Sequence, residues 1–174
     1  MYYFYQKNNM EKVVNITWSN SVKSITGICV ILVLCIFYYI IKSGSFKTNL
    51  LLPTCLILIL GVLAYFMTQA PTSLHLSETS LTLKKIIGKI EIPYKDIQNI
   101  EKYNFNQGDT RIVGSGGFCG YVGTFKNNTF GKYSCYVGDA QQAFLIQTKE
   151  NKYYVLSCDN SISIINDIKQ EIRK

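Results

Sequence analysis

One histidine, His75, six cysteines and eleven carboxylates are the side chains from which catalysis or metal binding would have to be built. Their spacing does not build it. No H-E-x-x-H, G-x-S-x-G or clustered His/Cys ligand pattern occurs, so neither a zinc hydrolase nor an activated serine has its parts. His75 lies on an alternating apolar segment, where an imidazole is ordinarily structural. Glu78, Glu91, Asp96, Glu101 and Asp109 are spread over turns and surface-like positions. Asp96, in Tyr-Lys-Asp-Ile, is expected to accept backbone N–H groups in a turn. Cys29, Cys35 and Cys55 fall within apolar runs and act as small hydrophobes. Cys119, Cys135 and Cys158 form no C-x-x-C pair, which favours free thiols in a reducing compartment over zinc or a disulfide framework. The expectation is no catalytic residue, no metal and no cofactor.

Binding chemistry has more to work with. Seven of the twelve glycines lie between Gly114 and Gly138, interleaved with Phe118, Tyr121, Phe125, Phe130, Tyr133 and Tyr136. A phosphate cradle would need G-x-G-x-x-G opening a helix, or G-x-x-x-x-G-K-[ST], and neither is present. A flexible linker would lack the aromatics. A packed loop or hairpin fits, with glycine allowing close backbone approach beside aromatic rings. Such a surface could offer rings to a partner or to lipid headgroups. Lys84, Lys85 and Lys89 are either a solvated face or an attraction for anionic lipid, the latter worth about 1 kcal/mol each near a membrane. The candidate binding residues are therefore Lys84, Lys85, Lys89, Arg111, Phe118 and Tyr121.

The elements that must position these residues differ sharply along the chain. Residues 24–41 and 50–67 are two runs of 18 without a charge. About 20 residues at ~1.5 Å each span a ~30 Å hydrocarbon core, so both runs read as transmembrane helices. Pro53 sits in the first turn of the second run, where its missing N–H costs nothing. Two such helices buried in a soluble protein would need a much larger protein around them. A cleaved signal peptide would have one shorter apolar run nearer the start. The linker, residues 42–49, is just long enough for a helical hairpin, which puts both termini on one side. Lys7, Lys12 and Lys23 flank the first run, Lys42 and Lys47 lie in the linker, and Lys84, Lys85 and Lys89 follow the second. That balance places both termini in the cytoplasm.

Composition agrees. The 174 residues are 48% hydrophobic and only 17% charged, which excludes disorder. Of the +7 net charge, +4 lies upstream of residue 71 and +3 downstream, where lysines alternate with acids. Without a basic stripe, nucleic-acid binding is set aside.

After Met67 the period becomes two. Residues 72–77, 81–87, 89–94, 133–137, 143–148 and 152–157 read as strands. Gly88 supplies a tight hairpin, and Pro93 marks an edge or a strand end. From residue 161 the period becomes 3.6. Ile162, Ile165, Ile168 and Ile172 form one apolar stripe. Asp159, Asn160 or Ser161 can cap that helix, and Lys169, Arg173 and Lys174 suit its C-terminal dipole. The helix is expected to cover the open end of a bent sheet. The division is a segment 1–23, a helical hairpin 24–67 and a domain 71–174.

Three motifs then come in order: I-P-Y-K-D-I-Q-N-I at 92–100, R-I-V-G-S-G-G-F-C-G-Y-V-G-T-F at 111–125 and G-K-Y-S-C-Y-V at 131–137. Over residues 10–174 this order resembles the bacterial pleckstrin-homology-like (PH-like) proteins that carry two transmembrane helices before the domain. The resemblance implies an α+β membrane protein, with a PH-like sandwich or barrel of about seven strands in two roughly orthogonal sheets, capped by a C-terminal helix. It implies a binding scaffold and no reaction. Its phosphoinositide-binding members use Lys and Arg on the first hairpin, whereas this hairpin has three lysines and no arginine. The expected role is docking of membrane lipid or an unidentified protein partner, a homo-oligomer being one form of the latter. The alternative is a subunit or assembly factor of a larger membrane complex, acting through the hairpin.

Overall fold

The computed structural model describes residues 12–43, 51–105 and 108–172. Most of the expected 42–49 linker, and Lys7, Lys47, Arg173 and Lys174, lie outside the described residues. The two charge-free runs form α1 (Asn20–Ser43) and α2 (Leu51–Thr68). Leu is the commonest residue of α2, and Pro53 stands near its start. The helices touch each other, yet only Val22 and Ile40 of α1 and Pro53 and Leu56 of α2 are buried. Both are long and apolar enough to cross a membrane.

The rest of the described chain forms ten strands in two sheets. The first contains β1 (Lys12–Asn15), β2 (Pro71–Leu76), β3 (Ser80–Lys85) and β4 (Lys89–Pro93), in that order and all antiparallel. The second contains β5 (Ile97–Lys102), β6 (Thr110–Gly117), β7 (Gly120–Asn127), β8 (Gly131–Val137), β9 (Ala143–Thr148) and β10 (Tyr153–Ser157). Its order is β5-β9-β10-β8-β7-β6, with β8 and β10 parallel. Helix α3 (Ser161–Ile172) ends the described chain.

The main core joins both sheets to α3. Leu74, Leu81, Leu83 and Ile92 meet Ile97, Ile100, Phe144, Ile146 and Leu156 there, and Ile164, Ile165 and Ile168 close it. This corrects the expected stripe. Ile162 is 59% exposed and Ile164 takes its place. At 3.6 residues per turn Ile162 lies about 200° around the helix from Ile164, so only one can face the sheet. The Ser161 N–H and hydroxyl both donate to Gln142 Oε1 (3.2 and 3.0 Å), which fixes the helix start. A second cluster occupies the other face of the larger sheet. Phe125, Tyr133, Cys135, Leu145 and Val155 are covered there by Tyr103 and Phe105 of the β5–β6 connection.

Four strands, β1, β5, β6 and β7, exceed the sequence reading. β1 precedes the helices and pairs with β2 after them, Val14 opposite Leu74. Lys12 Nζ also reaches Asp167 Oδ2 of α3 at 2.5 Å. Residues 12–15 of the segment 1–23 thus belong to the first sheet. Four residues carry too little alternation to announce a strand. The glycine-rich stretch is an extended hairpin, β6–β7, rather than a loop. Gly114 faces Gly123 across it. A Cβ on either would strike the opposing backbone, and both have positive φ, so glycine is required twice. Asp96 ends a 3-10 turn, Tyr94–Asp96. There it is the Asp96 backbone carbonyl that accepts the Lys149 N–H (2.8 Å).

The strands give the body two distinct ends. β1 runs into α1, and β2 runs away from α2. The turns at 86–88 and 118–119 therefore lie at the helix end, and the turns at 77–79 and 149–151 at the far end.

Candidate functional site

The six candidate binding residues do not converge. Lys84 and Lys89 sit opposite each other in the β3–β4 pairing, both exposed at the helix end. Lys89 Nζ lies 3.5 Å from Glu91 Oε2, an exposed pair worth little. Lys85 points to the other face. Its Nζ donates to Gln69 Oε1 (2.7 Å) and lies 5.7 Å from the Tyr136 ring centre. It therefore braces the sheet against the end of α2. Arg111 is exposed on β6, an edge strand, and its guanidinium lies across Gly116. Phe118 is half-buried in the β6–β7 turn, where its carbonyl accepts the Ser115 hydroxyl (2.7 Å). Tyr121 packs on Phe105 in the aromatic cluster, centroids 4.7 Å apart.

What the fold does build is a seam between the helices and the sheets. The Ile86 N–H donates to the Ala70 carbonyl (3.0 Å) and the Ile87 N–H to the Thr68 carbonyl (2.9 Å). On the other side, the Thr26 hydroxyl donates to the Val22 carbonyl (2.8 Å) and accepts the Cys119 N–H (2.9 Å). Cys119 holds a positive φ of 54° in that turn. Gly117 beside it leaves room for Ile25, whose side chain a Cβ would strike. The Ser19 N–H donates to the Gly138 carbonyl (3.0 Å). Between α2 and the larger sheet, Tyr65, Phe66, Gln69, Val113, Val122 and Tyr136 line a cavity of about 180 Å³. The body is thus bonded to both helices.

Sequence reasoning misjudged Asp109. It is not a free surface acid. Its Oδ1 accepts the Tyr103 hydroxyl (2.7 Å), the Tyr133 hydroxyl (2.7 Å) and Asn127 Nδ2 (3.1 Å). Its Oδ2 is buried without a hydrogen-bond partner among the described residues. This knot pins the β5–β6 connection onto the second cluster. Burial, reinforced by the nearby carboxylate, pushes the Tyr103 and Tyr133 phenols well above their usual range. They remain donors at physiological pH. No local pattern around residue 109 could have revealed this, because the partners come from the start of the β5–β6 connection, from β7 and from β8.

The thiols are quiet for a similar reason. Burial raises Cys119 and pushes Cys135 well above the usual thiol range. It pushes Cys158 up to about 12. The thiolate is the nucleophile, so these positions are suited to packing rather than chemistry. His75 is half-buried on β2, with Nε2 3.2 Å from the Ser73 hydroxyl.

No curated protein matches the chain, and no solved structure does. The family model of the bacterial PH domain matches residues 72–172. That span runs from β2 through α3, and PH-like domains are typically non-catalytic modules. With more than half of its residues matched, including the whole larger sheet and the closing helix, the chain belongs to the bacterial PH domain family.

Proposed function

We propose that this protein is a membrane-anchored interaction module. Its PH domain sits on the cytoplasmic surface of the bacterial inner membrane and docks a lipid headgroup or a protein rather than catalysing a reaction. One observation carries the reading. α1 and α2 expose their apolar side chains almost throughout, with Ile31 61%, Ile57 68% and Leu58 65% exposed. Helices of 24 and 18 residues are about 36 and 27 Å long, close to the thickness of a hydrocarbon core. Lipid is the solvent that suits such surfaces. Lys23, Lys84 and Lys89 sit on the domain side of the spans, which supports a cytoplasmic domain.

The test is photocrosslinking in cells from the full chain, with the probe placed at Lys84 or Phe118. Adducts with lipid, or with one defined protein, are expected at either position. They should persist when α1 and α2 are replaced by an unrelated two-helix anchor. Absence of adducts at both positions contradicts docking through the domain. Adducts lost on the swap point instead to the hairpin as the interface of a larger complex.

A further inference from the structure

The turn between β3 and β4 has the wrong chemistry for water. It is closed by the Lys85 N–H donating to the Gly88 carbonyl (3.1 Å), and Gly88 supplies the positive φ of 88°. Turn positions facing solvent favour Asn, Asp, Ser or Gly. Here they are Ile86 and Ile87, two β-branched residues 46% and 62% exposed. Neither belongs to the main core, which Leu81, Leu83 and Ile92 close beneath them.

Their place in the molecule supplies the reason. Ile87 is hydrogen-bonded to the carbonyl of Thr68, the last residue of α2, and Ile86 to Ala70. The turn is therefore held level with the end of the apolar helix. Lys84 and Lys89 stand one step behind it, opposite each other and exposed. An apolar tip with cations just behind it matches a bilayer interface, where acyl chains begin and phosphates follow.

We propose that the Ile86–Ile87 turn is inserted into the headgroup–acyl boundary of the same membrane, with Lys84 and Lys89 on anionic headgroups. The domain is then docked flat at the end of its anchor rather than swinging from it. This rests on the membrane-anchor reading given above.

Tryptophan fluorescence tests it on the full chain, reconstituted in vesicles of phosphatidylcholine and phosphatidylglycerol. Trp18 is the single native tryptophan, so Trp18→Phe provides the background. Ile87→Trp probes the turn and Ile86→Trp repeats the probe one residue away. Leu58→Trp probes the middle of α2, and Lys149→Trp the far end of the body. The turn probes are expected to emit at short wavelength and to lose most of their emission to lipids brominated near the headgroup. Lys149→Trp should lose none. Quenching of Leu58→Trp by deeply brominated lipid, with both turn probes behaving like Lys149→Trp, overturns the inserted turn and leaves the anchor standing. An unquenched Leu58→Trp removes the anchor, and this inference with it.

Discussion

The helical pair and the β body draw on the same side chains and treat them oppositely. In the body, Leu74, Leu81, Phe144 and Ile146 are fully buried. In the most apolar stretch of α1 only 6% of residues are buried, and in that of α2 11%. A body that closes a core of its own needs no help from the helices. The helices, by contrast, have too little protein around them to satisfy them. The lesson is that one chain carries apolar surface in two forms, closed on itself in the body and left open on the helices, with the seam at Thr26, Thr68 and Ala70 between them.

The largest expected effect sharpens that contrast. Phe144→Ala should cost about 3–5 kcal/mol of unfolding free energy, whereas Leu58→Ala, on an exposed helix face, should change it by less than about 0.5 kcal/mol. Denaturant unfolding of the detergent-solubilised protein reads both. Equal losses would break the comparison. The reverse asymmetry is expected for a charge. Leu58→Asp should oppose membrane insertion by about 2.5–3.5 kcal/mol, read as the fraction of chain integrated in membranes. Unchanged integration would make α2 an ordinary surface helix.

Much of this division was legible in the sequence. Charge-free runs of 18 residues declare themselves without context, because length alone sets the requirement. The strands from β2 to β4 and from β8 to β10 were legible as well, since alternation and turn residues are local. β1 and Asp109 were not. β1 is only four residues long, and its partner comes after both helices. Asp109 acquires its meaning from Tyr103, Asn127 and Tyr133, which only the folded sheet brings together. Ile162 was misassigned because a spacing of three is compatible with several helical faces. The placement of the six binding candidates depended on strand register, and register put Lys85 behind the sheet and Lys84 in front.

Smaller effects test the body's two clusters. Asp109→Ala leaves two phenol hydroxyls without their acceptor and should cost about 1–3 kcal/mol, again by denaturant unfolding. A neutral result would mean that the β5–β6 connection is held by its rings alone. Alkaline pH acts on the main core. Burial, followed by the charges of Glu171 and Asp167, raises Tyr94 to about 12 from 10.0. Burial, followed by Asp159, raises Cys158 to about 12 from 9.0. Both groups favour the protonated form when folded, so the unfolded chain releases its protons first. Stability from these groups is complete below pH 9 and is lost as pH climbs toward 12. The melting temperature should hold between pH 7 and 9 and fall beyond, with a shallower fall in Tyr94→Phe. A smaller loss is expected at the seam. Thr26→Val removes the acceptor of the Cys119 N–H and should cost about 1 kcal/mol, read as faster amide exchange at Cys119 with the main core unchanged.

The central claim is that the helical pair lives in lipid while the sheets live in water. Alkaline carbonate extraction of membranes from cells making the full chain tests it most directly. Retention in the membrane pellet is expected. Release of the intact chain into the carbonate supernatant, without detergent, would contradict the account.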